Sequence, residues 1–384
     1  MNRVFTKGVG LVKVEEHWEK GIDYLMTTAA LEAIKNSAIE RIDAIYIGNV
    51  CAEILHHQVQ LGALASENLG LTGIPSIRIE AADASGAAAL REAYLAISSG
   101  MIRTALVIGV EKLSDGLPEE IVSITSMFDK YEYTGYQGFT QASLAALLYR
   151  YYMERYEVSQ ENIAQFPVIM HENASTAPHA QYQFKISVES VLNSPVVSEP
   201  LRRLECTAIA DGAAAIVLCG EDALEGNRDE AIEVASVSMS TDFVSPFDRE
   251  DPLKLSAVSI AFNDSLTRAK IDRREVDIIE LHDSYSILAP LILESTGYSQ
   301  EGRAGIDAKN GKYSLSGELP INTFGGLKAR GHPFGATGVY QVAELYLQLV
   351  GQAGKNQVDN AKIGVALSLG GLAATAVSTV MRAR

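Results

Sequence analysis

Along the chain, short continuous apolar runs alternate with longer stretches in which apolar residues recur every three or four positions. Apolar runs bounded by Gly, Asn or charge predict buried strands, and the three-to-four spacing predicts helices. Residues 4–14 read as a strand, 24–37 as a helix and 42–50 as a second strand that stops at Gly48-Asn49. His56 and His57 fall in a helix-like segment reaching Leu69, where neighbours point about 100° apart and share no metal face. They read as a packing or surface pair. Residues 77–79 then form a strand, followed by a sharp turn at Asp83 and a helix over 84–99 rich in small residues. Asp83 lies where strand becomes helix, a position suited to capping the helix and favouring its positive end. Residues 104–110 read as a strand buried on both faces.

The pattern changes over residues 116–200, where tyrosines and prolines replace the small-residue style. This predicts an inserted, partly helical lid. Residues 204–218 return to the earlier style, with Cys206 read as a buried small hydrophobe. From residue 276 the first half is echoed. Residues 276–281 resemble 42–47, and 363–367 and 376–381 take the places of 104–110 and 215–218. A helix at 339–350, opened by a glycine-rich loop, takes the place of the helix after Asp83. The chain therefore reads as an internal duplication. Residues 1–115 plus 201–230 form one half, 116–200 the insertion, and 231–384 the other half. Pairing of the halves about a pseudo-twofold predicts that Asp83 and His332 meet at facing helix N-termini.

Length and composition set bounds on this picture. A chain of 384 residues with 47% hydrophobic content can build large α/β cores. Its net charge of −16 argues against a nucleic-acid or anionic membrane surface. The apolar runs are interrupted before they reach bilayer length, and residues 1–7 lack the apolar core of a secretion signal. A cytoplasmic protein is expected. Cys51, Cys206 and Cys219 are too few and too scattered for a disulfide framework or a zinc site, so no metal is expected.

The candidate chemistry centres on Gly331-His332-Pro333-Phe334-Gly335-Ala336-Thr337-Gly338. A glycine-rich loop opening a helix presents unpaired N–H groups to an anion or oxyanion. Gly331, Gly335 and Gly338 are expected to let the backbone approach a ligand closely, and His332 stands at that mouth.

Four motifs together resemble the thiolase family. They are the 80–86 turn around Asp83, Leu281-His282-Asp283-Ser284-Tyr285-Ser286, the 331–338 loop, and Ser368-Leu369-Gly370-Gly371-Leu372. With Gly109-Val110-Glu111-Lys112, His171-Glu172-Asn173-Ala174 and Asp211-Gly212-Ala213, the resemblance spans nearly the whole chain. It is closest to archaeal and sterol-carrier-type thiolases, which carry His-Asp where many others carry Asn-Glu. The resemblance implies an α/β thiolase fold, a duplicated five-layer αβαβα domain with an inserted loop domain, usually dimeric. It implies Claisen condensation or thiolysis of 3-ketoacyl-CoA, of the acetyl-CoA C-acyltransferase type, with a coenzyme A thioester as substrate and no covalently bound cofactor. His332 and His282 would bind the thioester oxygen, and the backbone N–H groups of Asp83 and Gly370 would form a second oxyanion hole. The expected partners are acyl-CoA, a second copy in a homodimer or dimer of dimers, and a small zinc-ribbon/OB-fold protein.

The departures from the family are chemical. Its nucleophilic cysteine falls on Asp83, and its second cysteine falls on Ser284 or on Ser368. A carboxylate attacking a thioester gives a reactive, uphill anhydride, so ordinary thiolase turnover is not expected. Three readings follow: a thiolase-family acyltransferase whose cysteine was replaced, an aldolase-like lyase on 3-hydroxyacyl-CoA with Asp83 as base, and a non-catalytic acyl-CoA-binding scaffold in a complex.

Overall fold

The apolar runs pair into one large sheet. The computed structural model describes residues 2–224 and 230–384. The first half contains β1 (Val4–Leu11), α1 (Ile22–Ser37), β2 (Ala44–Gly48), α2 (Ala52–Leu55), α3 (Leu61–Asn68), β3 (Ser76–Ile79), α4 (Ser85–Ser98) and β4 (Thr104–Glu111). The insertion supplies α5 (Pro118–Ser126), α6 (Gln141–Tyr156), α7 (Gln160–Ile163), α8 (Gln165–Ala174), α9 (Val188–Leu192) and the hairpin of β5 (Val196–Ser198) with β6 (Leu201–Arg202). β7 (Gly212–Gly220) closes the first half. The second half runs through β8 (Ile232–Thr241), α10 (Ser256–Ala269), β9 (Ile278–Glu280), α11 (Leu288–Ser295), α12 (Ala304–Lys309), α13 (Thr337–Leu349), β10 (Ile363–Gly370) and β11 (Thr375–Arg382).

The strand order is β3-β2-β4-β7-β1-β8-β11-β10-β9. β1 and β8 join the halves through three antiparallel pairs, from Val4↔Val234 to Thr6↔Ile232. Outward from this seam the two halves match. β7 and β11 are antiparallel to their neighbours on both sides, and β2 and β9 run parallel to β4 and β10. An isolated parallel bridge, Ile279↔Ile321, stands where β3 stands in the first half. Strand order and direction thus repeat on the two sides of this seam.

β4 and β7 are buried at every position, as their unbroken apolar runs require. α1 packs outside the first half and α10 outside the second, while α4 and α13 pack against each other and against strands of both halves. This central pair is close-packed through small residues. A Cβ on Gly86 would lie 2.5 Å from the Gly335 carbonyl oxygen, and one on Gly338 would lie 2.5 Å from the Ala87 nitrogen.

Two local expectations fail. His56 and His57 lie in the break between α2 and α3, with His57 at φ +51°, and not within one helix. The His56 imidazole bonds the Lys112 carbonyl at 2.9 Å, so its packing role stands. Cys206 is not fully buried; it is partly exposed and precedes the strand by several residues.

The helix contact yields a stability prediction. Gly338→Ala should lower the unfolding free energy by about 1–3 kcal/mol, the usual cost of overpacking a tight core. Thermal and urea unfolding check it, and an unchanged midpoint would show that the two helices are not in close contact there.

Candidate active site

The site is built where strand ends and helix starts converge. β9 delivers His282 and Asp283 immediately after its last residues. The Asp283 carboxylate accepts from Asn322 Nδ2 at 2.7 Å, from the Leu327 N–H at 2.8 Å and from the Lys328 N–H at 3.3 Å. It thereby ties the glycine-rich loop to the strand end. Behind the loop, the fully buried Arg330 guanidinium pairs with Glu344 of α13 at 3.1 Å, and His179 reaches the same carboxylate at 2.9 Å. From the first half, Glu111 at the end of β4 accepts from the Gly335 N–H at 3.0 Å and from the N–H groups of Val50 and Cys51. Burial raises the Glu111 carboxyl to about 7, and those N–H donors oppose the rise.

The predicted meeting of Asp83 and His332 occurs. Asp83 Oδ1 is 3.5 Å from His332 Nε2, and the two side chains are nearly buried. His282 stands against His332, with ring centroids 5.2 Å apart and an interplanar angle of 88°. One nitrogen from each ring and one Asp83 oxygen lie within 4.8 Å of one another. Burial pushes the His282 imidazole well below its usual value, aided by His332 and Arg330, so the ring is neutral. Its Nδ1 accepts the Leu369 N–H at 3.3 Å, which leaves the proton on Nε2. That nitrogen is buried and has no partner among the described residues. Neither nitrogen of His282 therefore keeps a free lone pair for a cation, and the cluster is built to donate rather than to ligate. His332 Nδ1 is fixed by Thr337 Oγ1 at 2.7 Å.

Asp83 does not cap α4. Its Oδ1 is buried without a hydrogen bond, and no side chain caps that helix. The turn is closed by Ser85 instead, whose hydroxyl accepts the Ala81 N–H at 2.9 Å and donates to the Ala82 carbonyl at 2.6 Å. The carboxylate is thus left free to face the cavity.

That cavity has a volume of about 700 Å³ and reaches Asp83, His332 and Ser284. Gly370 ends β10 against the turn before Asp83, where a Cβ would lie 2.6 Å from the Ala81 carbonyl oxygen. Gly331 does not line the cavity. At φ +112° its open side faces Val14, where a Cβ would lie 2.4 Å from Cγ1. The glycines of this loop therefore serve backbone shape and element packing, contrary to the expected ligand approach.

Sequence reading missed several residues of the cavity wall: Tyr285, His171, Tyr182, Lys328 and Cys206. Tyr285 directly follows Ser284 in the His-Asp motif, which was a usable signal. His171 and Tyr182 come from the insertion, Lys328 from the glycine-rich loop, and Cys206 from the segment that leads into β7. Cys206 lines the cavity, but burial pushes its thiol up to about 12, so it is no thiolate.

Residues 10–222 match the thiolase N-terminal domain family and residues 239–383 the thiolase C-terminal domain-like family. The chain belongs to the thiolase family. The acetyl-CoA acetyltransferase of Methanothermobacter thermautotrophicus is 38% identical over 378 residues, covering 98% of each chain. Sterol carrier protein 2 of Oryctolagus cuniculus is 31% identical, covering 99% of this chain and 72% of its own. A solved structure described as an Ltp2-ChsH2(DUF35) aldolase superposes with a TM-score of 0.85 at 18% identity, covering 99% of this chain and 98% of that one. The architecture is the α/β thiolase fold. No described helix is long and apolar enough to cross a membrane.

The buried histidines predict an acid-side instability. Burial, then Lys328, pushes the His171 imidazole down to about 4 from 6.5. The folded state therefore binds fewer protons than the unfolded state below about 6.5, and stability is lost as pH falls from there towards about 4. Denaturant unfolding across that window should show the decline, and His171→Gln should flatten part of it. An identical pH profile for the variant would contradict the assignment.

Proposed function

We propose that this thiolase-family protein is a carbon–carbon lyase acting on 3-hydroxyacyl-CoA thioesters, with Asp83 as the base. The supporting observation is the buried Asp83 carboxylate, unpartnered at Oδ1, beside His332 at the wall of an acyl-sized cavity. The resemblance places the family's nucleophilic cysteine at this position, and Cys206, which does line the cavity, is held as a neutral thiol. Retro-aldol cleavage needs no covalent nucleophile.

Asp83 takes the proton of the 3-hydroxyl. The C2–C3 bond breaks as the hydroxyl carbon becomes a carbonyl, and its electron pair passes into the thioester enolate. The enolate oxygen is received by the Nε2–H of His282 beside His332, and the N–H groups of Asp83 and Gly370 form the second set of donors, for the carbonyl that develops at C3. Donors fixed in a dry site strengthen as negative charge develops. His332 passes the proton towards C2, which yields the shortened acyl-CoA. Ser284 supplies a hydroxyl at the same wall.

The aldolase relative supports this reading by its name and shared fold. That aldolase pairs two proteins, Ltp2 and ChsH2(DUF35), which supports a partner protein here, a small zinc-ribbon/OB-fold chain. The strand order leaves β3 at the sheet edge, with Ile77 54% exposed, which favours a homodimer through that edge.

A 3-hydroxyacyl-CoA should release an aldehyde or ketone together with the shortened acyl-CoA, followed by chromatography. Asp83→Asn should lower kcat by about 10²–10⁴ while KM changes little. Acetoacetyl-CoA should not be thiolysed near the usual median of about 10 per second. Tight binding of acyl-CoA without cleavage of any 3-hydroxyacyl thioester would favour the scaffold reading, and full activity in Asp83→Asn would remove Asp83 from the mechanism.

A separate test concerns the enolate donor. His282→Ala should reduce the cleavage rate by about 10²–10³, the cost of losing one oxyanion donor. Acyl-CoA affinity, measured by calorimetry, should fall far less, because the charge appears only in the transition state. Equal losses in rate and affinity would show that His282 only binds.

A further inference from the structure

The cavity wall carries a second polar group of residues that the cleavage mechanism does not use. Its centre is the Tyr182 ring. His171 of α8 stacks on it at 6.0 Å and 11°, and the Lys328 ammonium lies 5.7 Å from its centroid. Backbone bonds hold the arrangement, since the Gln181 and Tyr182 N–H groups donate to the carbonyls of Arg330 and Ala329 at 2.9 and 3.0 Å. All three side chains line the cavity.

Lys328 is 5% exposed. Its Nζ donates to the Cys206 carbonyl at 2.8 Å, and among the described residues it forms no ion pair. An ammonium has three N–H groups, so donor capacity remains. Asp283 attracts it, but the Asp283 oxygens are occupied by Asn322 and by the backbone N–H groups of Leu327 and Lys328. Burial holds this ammonium down to about 8, which still leaves it mostly charged at neutral pH. A buried cation without a counter-ion is unfavourable and attracts an anion strongly in so dry a setting.

His171 adds an independent sign. The Phe184 carbonyl can only accept, so the 3.0 Å contact with His171 Nδ1 fixes the proton there and leaves the lone pair on Nε2. Nε2 is buried and has no partner among the described residues. Burial, aided by Lys328, keeps this imidazole neutral. An anion between the two would offset that repulsion, and Nε2 would take a proton from solvent and donate as well.

We propose that the Lys328–His171–Tyr182 wall receives a carboxylate carried on the acyl part of the ligand, so that the favoured substrates are CoA thioesters of acids with a second, acidic end. This rests on the acyl-CoA reading of the cavity. The phosphates of coenzyme A are the other source of anion, and depth separates the two. Arg203 is exposed and suits a phosphate at the mouth, where Glu16 is also exposed, whereas the buried Lys328 suits a group that enters with the acyl chain. Asp83, the other acid of the cavity, faces His332 at 3.5 Å.

The experiment compares glutaryl with valeryl thioesters, each as the CoA and as the phosphate-free pantetheine derivative, by calorimetry on the whole chain. The glutaryl pantetheine thioester should bind about tenfold or more tighter than the valeryl one, the scale of a charge-assisted hydrogen bond. Its binding should take up a proton, read from buffers of different ionisation heat, and valeryl binding should not. Lys328→Met should erase the glutaryl preference. Equal affinity of the two acyl groups for the wild type would overturn the proposal, whether or not the variant folds. So would a preference that survives Lys328→Met, or a variant that loses affinity only for the CoA series, which would assign the anion to a phosphate. Failure of both series to bind would overturn the acyl-CoA reading itself, and this assignment with it.

Discussion

Everything in this site depends on the close contact of two helix starts. α4 and α13 come from different halves of the duplication and lie together between strands of both halves. Their contact is too tight for side chains at Gly86 and Gly338. Because the starts of the helices abut, the residues just before each one face each other, and Asp83 and His332 end 3.5 Å apart. Larger residues at the contact would separate the helices and the two reacting groups together. Packing density, rather than any single polar bond, sets the geometry of the chemistry.

The electrostatic surroundings are divided between the two kinds of group. Three framework carboxylates take several donors each: Asp283 from the loop, Asp211 from Ser114 and the Leu113 N–H, Glu111 from three backbone N–H groups. Groups in or next to the cavity wall are left short. Asp83 Oδ1, His282 Nε2 and His171 Nε2 are buried with no partner among the described residues. Buried polar atoms are normally satisfied, and the exceptions at Asp83 and His171, which line the cavity, leave hydrogen bonds for a ligand to complete.

Much of this was legible in the chain because the apolar runs of the central strands are long and the motif order repeats. β4 and β10 announce themselves as uninterrupted apolar segments, and from their equivalence the meeting of Asp83 with His332 follows. What was not legible depends on contacts far apart in sequence. The space beside Gly331 is taken by Val14, and no local pattern reports that. Asp83 occupies a helix start, yet Ser85 closes the turn in its place, a competition between neighbours that composition does not resolve. Lys328 reads as one more charge in a glycine loop until Tyr182 and Cys206, supplied by other segments, are seen to bury it.

The bond between Glu111 and the Gly335 N–H spans 224 residues. During synthesis, the first half emerges long before the segment that it must hold. Until then α4 has no α13 to cover its inner face, and the Glu111 carboxylate lacks one of its donors. Loop closure over such a separation carries an entropic cost and slows folding. A first half without its partner leaves the face of α4 that packs on α13 uncovered, so neither half holds the site alone.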